Sequence, residues 1–69
     1  MSDSVYKVIE LIGTSPNSWE EAAQKAVERA TKTLRDVRIA EVSELDMKME
    51  DNKVSSYRAK VRISFKFEN

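Results

Sequence analysis

The stretch Val5-Tyr6-Lys7-Val8-Ile9-Glu10-Leu11-Ile12, followed by Gly13-Thr14-Ser15-Pro16-Asn17 and Ser18-Trp19-Glu20-Glu21, decides how this chain is read. Residues 5–12 are mainly β-branched, aromatic and aliphatic, the composition of a strand. The expected stop is Gly13, the one glycine in the sequence. Thr14 to Asn17 carries the chain around a short loop. Ser18 and Glu21 then have the S-x-x-E spacing of a capping box. In that motif the Ser18 hydroxyl accepts from the Glu21 N–H, and the Glu21 carboxylate reaches back to the Ser18 N–H.

The helix is expected from about Ser18 to Leu34. Trp19, Ala22, Ala23, Ala26, Val27, Ala30 and Leu34 recur at helical spacing and form one apolar face. Most of them are alanine, so the helix can lie close to the surface it covers. Glu21 with Lys25, and Glu28 with Lys32, are acid-first pairs at i,i+4 on the solvent side. Lys32 and Arg35 suit the negative end of the helix dipole.

Two strands follow a tight connection at Asp36. In the last, Tyr57, Ala59, Val61, Ile63, Phe65 and Phe67 alternate strictly with Arg58, Lys60, Arg62, Ser64, Lys66 and Glu68. The strand before it, Val37 to Met49, is read with Val37, Ile39, Leu45, Met47 and Met49 on one side. Arg38, Ala40, Val42, Glu44, Asp46 and Lys48 take the other, and Glu50-Asp51-Asn52-Lys53 makes the turn. Charge suggests the register: Asp46 opposite Arg58 and Glu44 opposite Lys60, with Met47 facing Tyr57 and Ile39 facing Phe65. The fold class is therefore α+β, of β-α-β-β topology, with a three-stranded antiparallel sheet packed on one helix.

The sequence is expected to form a single domain over residues 1–69. A monomer of this size buries only about 60% of its unfolded surface, and its core supplies at most roughly 3–5 kcal/mol. With no cysteine and no histidine, disulfides, thiolate metal sites and the commonest zinc ligand are excluded. Self-association is the remaining route to stability. The first strand supports it, because Val5, Ile9 and Leu11 lie on one face and Tyr6, Val8 and Ile12 on the other. One helix covers only one face, so a second copy of the chain is expected against the other.

Twelve basic and twelve acidic side chains cancel, which gives no reason to expect nucleic acid or an anionic membrane as partner. No apolar run has the length of a membrane span or a signal segment, so the chain reads as cytoplasmic. The basic stripe Arg58, Lys60, Arg62, Lys66 lacks interleaved aromatics for base stacking. Thr14, Ser15 and Ser18 have no histidine to activate them, so no enzymatic chemistry is expected. The loop at Gly13-Thr14-Ser15 is read as a helix entry rather than an anion site, and Trp19 as an anchor of the helix on the sheet. Glu41, Glu44, Asp46, Glu50 and Asp51 offer oxygens to a hard cation such as calcium, but their spacing matches no EF-hand loop. Salt bridging is the preferred reading for Glu44 and Asp46.

Taken in order, V-Y-K-V-I-E-L-I-G-T-S, S-W-E-E-A with its alanine-rich helix, K-T-L-R, E-V-S-E and the final S-F-K-F resemble the dodecins, small flavin-binding proteins that assemble as hollow homo-dodecamers. The resemblance covers nearly the whole chain. It implies a non-enzymatic role in binding or sequestering a small ligand, with flavin (riboflavin or FMN) as the family cofactor. In the family, a tryptophan on the second strand stacks on the flavin ring and a glutamine on the third strand bonds its polar edge. Pairs of flavins sit at two-fold axes between subunits. The corresponding positions here are Ile39 and Arg58. Ile39 offers an apolar wall but no π-stacking, and Arg58 keeps donors while losing the amide acceptor. Flavin binding is therefore expected to be weak or absent. The register above puts Ile39 and Arg58 on opposite faces, a conflict that a bulge in the second strand or contributions from different subunits would resolve. Dodecins with the same T-S-P-x-S-W-E opening are described as calcium-binding, which raises the metal reading without identifying its ligands; Glu44 and Asp46, from the acidic group above, are the candidate metal residues.

Overall fold

The computed structural model describes residues 4–67. Strand β1 spans Tyr6–Ser15, helix α1 Trp19–Thr31, strand β2 Val37–Glu50 and strand β3 Lys53–Lys66. The sheet order is β1-β3-β2, with both outer strands antiparallel to β3. This is the expected β-α-β-β arrangement.

Gly13 does not end β1. The strand runs on through Thr14 to Ser15, with Gly13 opposite Ala59 and Ser15 opposite Tyr57. The glycine answers a different need: a Cβ built there would stand 1.9 Å from the Ala22 carbonyl oxygen and 3.2 Å from the Ala26 Cβ. The helix presses on the strand where the strand has no side chain. Ala22, Ala26 and Ala30 are buried against Ala59, Val61 and Ile63 of β3, and Ile9, Leu11, Ala23, Val27, Leu34 and Val37 pack around them. An alanine face on a glycine-containing strand gives the close approach that this small core uses.

The helix starts where expected. Ser18 is its N-cap, and its hydroxyl accepts from the Glu21 N–H at 3.0 Å. The return half of the capping box is replaced. Glu21 Oε1 accepts instead from Ser15 Oγ at 2.6 Å and Asn17 Nδ2 at 2.7 Å. The buried Ser15 Oγ also receives the backbone N–H groups of Asn17 and Ser18, at 3.0 and 3.4 Å. The helix ends at Thr31 rather than Leu34: the Lys32 and Thr33 N–H groups bond the Arg29 and Ala30 carbonyls in tighter turns, and the Leu34 N–H closes on the same Ala30 carbonyl at 2.9 Å. Asp36 then takes φ 59° and its carbonyl accepts from Lys66 N–H, closing the connection into β2.

The hairpin corrects the expected register in three places. Asp51 and Asn52, with φ 52° and 63°, form a two-residue connection between the paired Glu50 and Lys53; positive φ at both is what a type I′ turn demands. Ser55 is an extra residue on β3, since Lys48 pairs with Ser56 and Met49 with Val54. On β2, Val42 pairs with Val61 and Glu44 with Lys60, leaving Ser43 as a bulge, and Arg38 is a second one between Val37 and Ile39. Asp46–Arg58, Glu44–Lys60 and Met47–Tyr57 pair as expected. Ile39 faces Ser64, not Phe65.

That shift reassigns the faces of β2. Side chains of paired residues share a face, so Val37, Ala40, Val42, Leu45 and Met47 lie on the helix side. Ile39, Glu41, Glu44 and Asp46 share the outer face with Arg58, Lys60, Arg62 and Ser64. Ile39 and Arg58 are therefore on the same face, contrary to the sequence-based register. Charge explains why the bulge is favoured. With Ser43 left in the regular ladder, Glu41 would lie beside the apolar Ile63 on the helix side and lose its place opposite Arg62 on the outer face.

Candidate ligand-binding face of the sheet

The outer face of the sheet carries the residues that the sequence singled out, and no element of the described chain covers it. Its centre is a set of cross-strand ion pairs on β3. Arg58 forms a fork with Asp46, Nε to Oδ1 at 2.7 Å and Nη2 to Oδ2 at 2.8 Å. Lys60 Nζ lies 3.5 Å from Glu44 Oε1. Arg62 Nε donates to Glu10 Oε2 on β1 at 2.9 Å. The basic stripe is thus matched by carboxylates from both neighbouring strands.

These contacts set the electrostatics. The Arg58 hydrogen bonds hold the Asp46 carboxyl below its ordinary pKa, against the opposing effect of desolvation. Arg62 does the same for Glu10, and each guanidinium is held more firmly protonated in return. The pairs are solvent-exposed, so their value lies in geometry and register more than in stability.

Around the pairs lie apolar side chains: Tyr6, Val8 and Ile12 on β1, and Ile39 on β2 at 63% exposure. Val8, Ser64 and Ile39 form one row across the three strands. Ile39 is fixed by the two flanking bulges, and its carbonyl accepts from Ser64 Oγ at 3.4 Å. Ser64 and Arg58 stand six positions apart on β3, about 20 Å at the rise of a strand. Ile39 and Arg58 of one chain thus share a face without sharing a pocket.

As a flavin site, this face supplies apolar walls and donors but no aromatic ring at position 39. As a calcium site it fits poorly. Glu44 and Asp46 are each occupied by a cation, and no group of three or more Asp or Glu side chains able to hold a metal occurs among the described residues.

The opposite face holds a second feature. Helix α1 covers β1 and β3 but leaves most of β2 bare, and a groove of about 500 Å³ lies between them, lined by Trp19, Glu20, Ala23, Val42 and Leu45. Trp19 spans its end. Its indole N–H donates to the Asp46 carbonyl at 3.1 Å, and its ring meets the Tyr57 ring edge-on, with centroids 5.0 Å apart. The tryptophan anchors the helix on the sheet, as its position suggested.

Sequence reasoning missed Ser15, Glu10 and Ser43. A buried serine before a helix gives no composition signal. Glu10 is a charge within an otherwise apolar strand, and its partner Arg62 lies on β3, far along the chain. Ser43 had a readable sign: the apolar positions of β2 change parity between Val42 and Leu45.

Among the described residues, no helix is long and apolar enough to cross a membrane. Comparison with known proteins points in one direction. The Dodecin family model matches residues 5–68. Calcium dodecin of Mycobacterium tuberculosis is 52% identical over 63 residues, 91% of this chain and 89% of that protein. Its crystal structure, described as that of a calcium-chelating antigen with a novel calcium-binding site, superposes with a TM-score of 0.83 over 94% of this chain and 93% of that one. Dodecin of Thermus thermophilus is 39% identical over 93% of each chain. The dodecin of Streptomyces coelicolor superposes with a TM-score of 0.91 at 35% identity, over 100% of this chain and 99% of its own. With the order of elements, the register and the extent of these matches in agreement, the chain belongs to the dodecin family.

Proposed function

We propose that this protein is a non-enzymatic, cytoplasmic small-ligand-binding protein, a single domain over residues 1–69 that works as a closed homo-dodecamer. The observation that carries the reading is the uncovered outer face, on which Tyr6, Val8, Ile12 and Ile39 surround the ion pairs. Shape supports it. The radius of gyration is 14.4 Å, against about 11 Å for a compact chain of this length. An extended subunit with apolar groups on both sheet faces gains most by burying them against copies of itself.

The ligand site is formed between subunits. A two-fold axis crossing the strands midway between Ile39 and Arg58 lays Ile39 of one chain over Arg58 of the next, so that together they bound one cleft. Flavin is the family ligand for that cleft, and its binding is weakened here because Ile39 supplies no stacking partner and Arg58 no acceptor.

A second reading is favoured by the 52% identity to a protein named calcium dodecin. In it, Glu44 and Asp46 supply carboxylates to a calcium ion. Their present partners Lys60 and Arg58 make this a site that must be completed by other subunits, since calcium takes six to eight oxygens.

Native mass spectrometry tests assembly and ligand together. The expected result is the mass of twelve chains of 7.9 kDa each, with bound-ligand increments if any are present. A stable folded monomer at micromolar concentration overturns the reading. Riboflavin titration and calcium titration of the same assembly then decide between the two ligands.

A further inference from the structure

We infer that Trp19 is a positioning residue for Arg58, acting through Asp46 from the far side of the sheet. The inference rests on the reading of Arg58 as part of the ligand-binding face. Asp46 is used twice: its carboxylate takes the Arg58 fork on the outer face at 2.7 and 2.8 Å, and its carbonyl takes the Trp19 indole N–H at 3.1 Å. The same indole lies edge-on to Tyr57, the residue before Arg58 and the cross-strand partner of Met47. One side chain thus touches both strands immediately beneath the ion pair.

The rest of β2 explains why this matters. Only Val37, at its start, packs against the core cluster, and residues 38–50 are exposed. Ladder bonds to β3 hold that stretch, but the bulges at Ser43 and Ser55 interrupt the ladder on either side of Asp46. An exposed edge strand between two bulges is free to twist. Among the described residues, the indole N–H makes the one side-chain hydrogen bond from α1 to β2. It fixes the Asp46 backbone, and the backbone fixes the carboxylate that aims the guanidinium. Arg58 keeps free donors, Nη1 among them, and their direction is set by the fork.

The test follows water exchange of the Arg58 Nε–H by NMR in the assembled protein, without added ligand. Arg62, whose Nε–H bonds Glu10 on the same face and is remote from Trp19, is the internal reference. Trp19→Phe removes the donor, and loss of one neutral hydrogen bond predicts exchange at Arg58 faster by about fivefold, with Arg62 unchanged. Should the phenylalanine variant fail to assemble, benzothienylalanine at position 19 keeps the ring volume and removes only the N–H; the same selective rise is expected. Unchanged exchange at Arg58, or an equal rise at both arginines, overturns the inference. Because no ligand is added, this outcome is independent of whether the face binds flavin, calcium or neither.

Discussion

Gly13 and Ala22 are in backbone-to-backbone contact: a single added carbon at residue 13 would meet the Ala22 carbonyl oxygen at 1.9 Å. The atom in the way belongs to the helix backbone, so no rotamer change relieves the overlap. Gly13→Ala is expected to push α1 away from β1 and destabilise the subunit by about 3 kcal/mol. Chemical denaturation of the assembled protein checks this. A loss below the noise of the method would mean that the helix seats elsewhere.

The fork between Asp46 and Arg58 predicts a non-additive pair. Asp46→Ala leaves the guanidinium without its partner and should cost more in the native background than in Arg58→Ala. A double-mutant cycle on unfolding midpoints measures the difference. The geometry is bidentate, but both groups are solvated, so the coupling should shrink in high salt. Coupling indistinguishable from zero at low salt would remove the pair from the account of the register.

Acid should weaken the fold at Glu21 and Glu10 as well as at the Asp46–Arg58 pair. The Glu21 carboxyl is held below its ordinary pKa by the Ser15 and Asn17 hydrogen bonds, with a smaller effect of Lys25, and the Glu10 carboxyl chiefly by Arg62. A group with a lowered folded pKa contributes stability that is fully present above its unfolded value, about 4.3 for glutamate. That contribution is lost as pH falls through the folded value. Stability is therefore expected to be flat in neutral solution and to decline below about pH 4.3. Glu21→Gln and Glu10→Gln should each flatten that decline, and thermal melts across the acid range measure it.

Ile39→Trp with Arg58→Gln restores the family's stacking ring and amide. An aromatic stack contributes about 0.5–1.5 kcal/mol beyond area burial, so riboflavin affinity should rise roughly tenfold. Fluorescence titration of both proteins reads it directly. Tight binding with strong quenching by the unmodified chain would place the flavin pocket away from these two residues.

The elements differ in how far the sequence disclosed them. Helix α1 was legible because its apolar spacing and its cap are local properties, and the Asp46–Arg58 and Glu44–Lys60 pairings were legible because opposite charges on facing strands select a register. Ile39 was misplaced because its face depends on the single-residue bulge at Ser43, and no residue type marks a bulge by itself. The parity change from Ala40 and Val42 to Leu45 and Met47 was the available sign. Gly13 was misread for a related reason. Glycine weakens strands in general, and the space it vacates has meaning only once the Ala22 backbone occupies it. Ser15 gathers Glu21, Asn17 and Ser18 around one hydroxyl, an arrangement that arises only after strand and helix meet.

The extra residue at Ser43 also sets which changes of chain length this strand can absorb. Its side chain bonds the Lys60 carbonyl at 3.2 Å, and it stands outside the inward-outward alternation. Removing it would close the ladder with Glu44 still beside Lys60 and Val42 still beside Val61, and every flanking side chain would keep its side. Removing a neighbour such as Ala40 would instead transpose everything between that point and the next bulge. Relatives one residue shorter in this strand are therefore predicted to carry the gap at 43, with a straighter strand and an unaltered pair of surfaces.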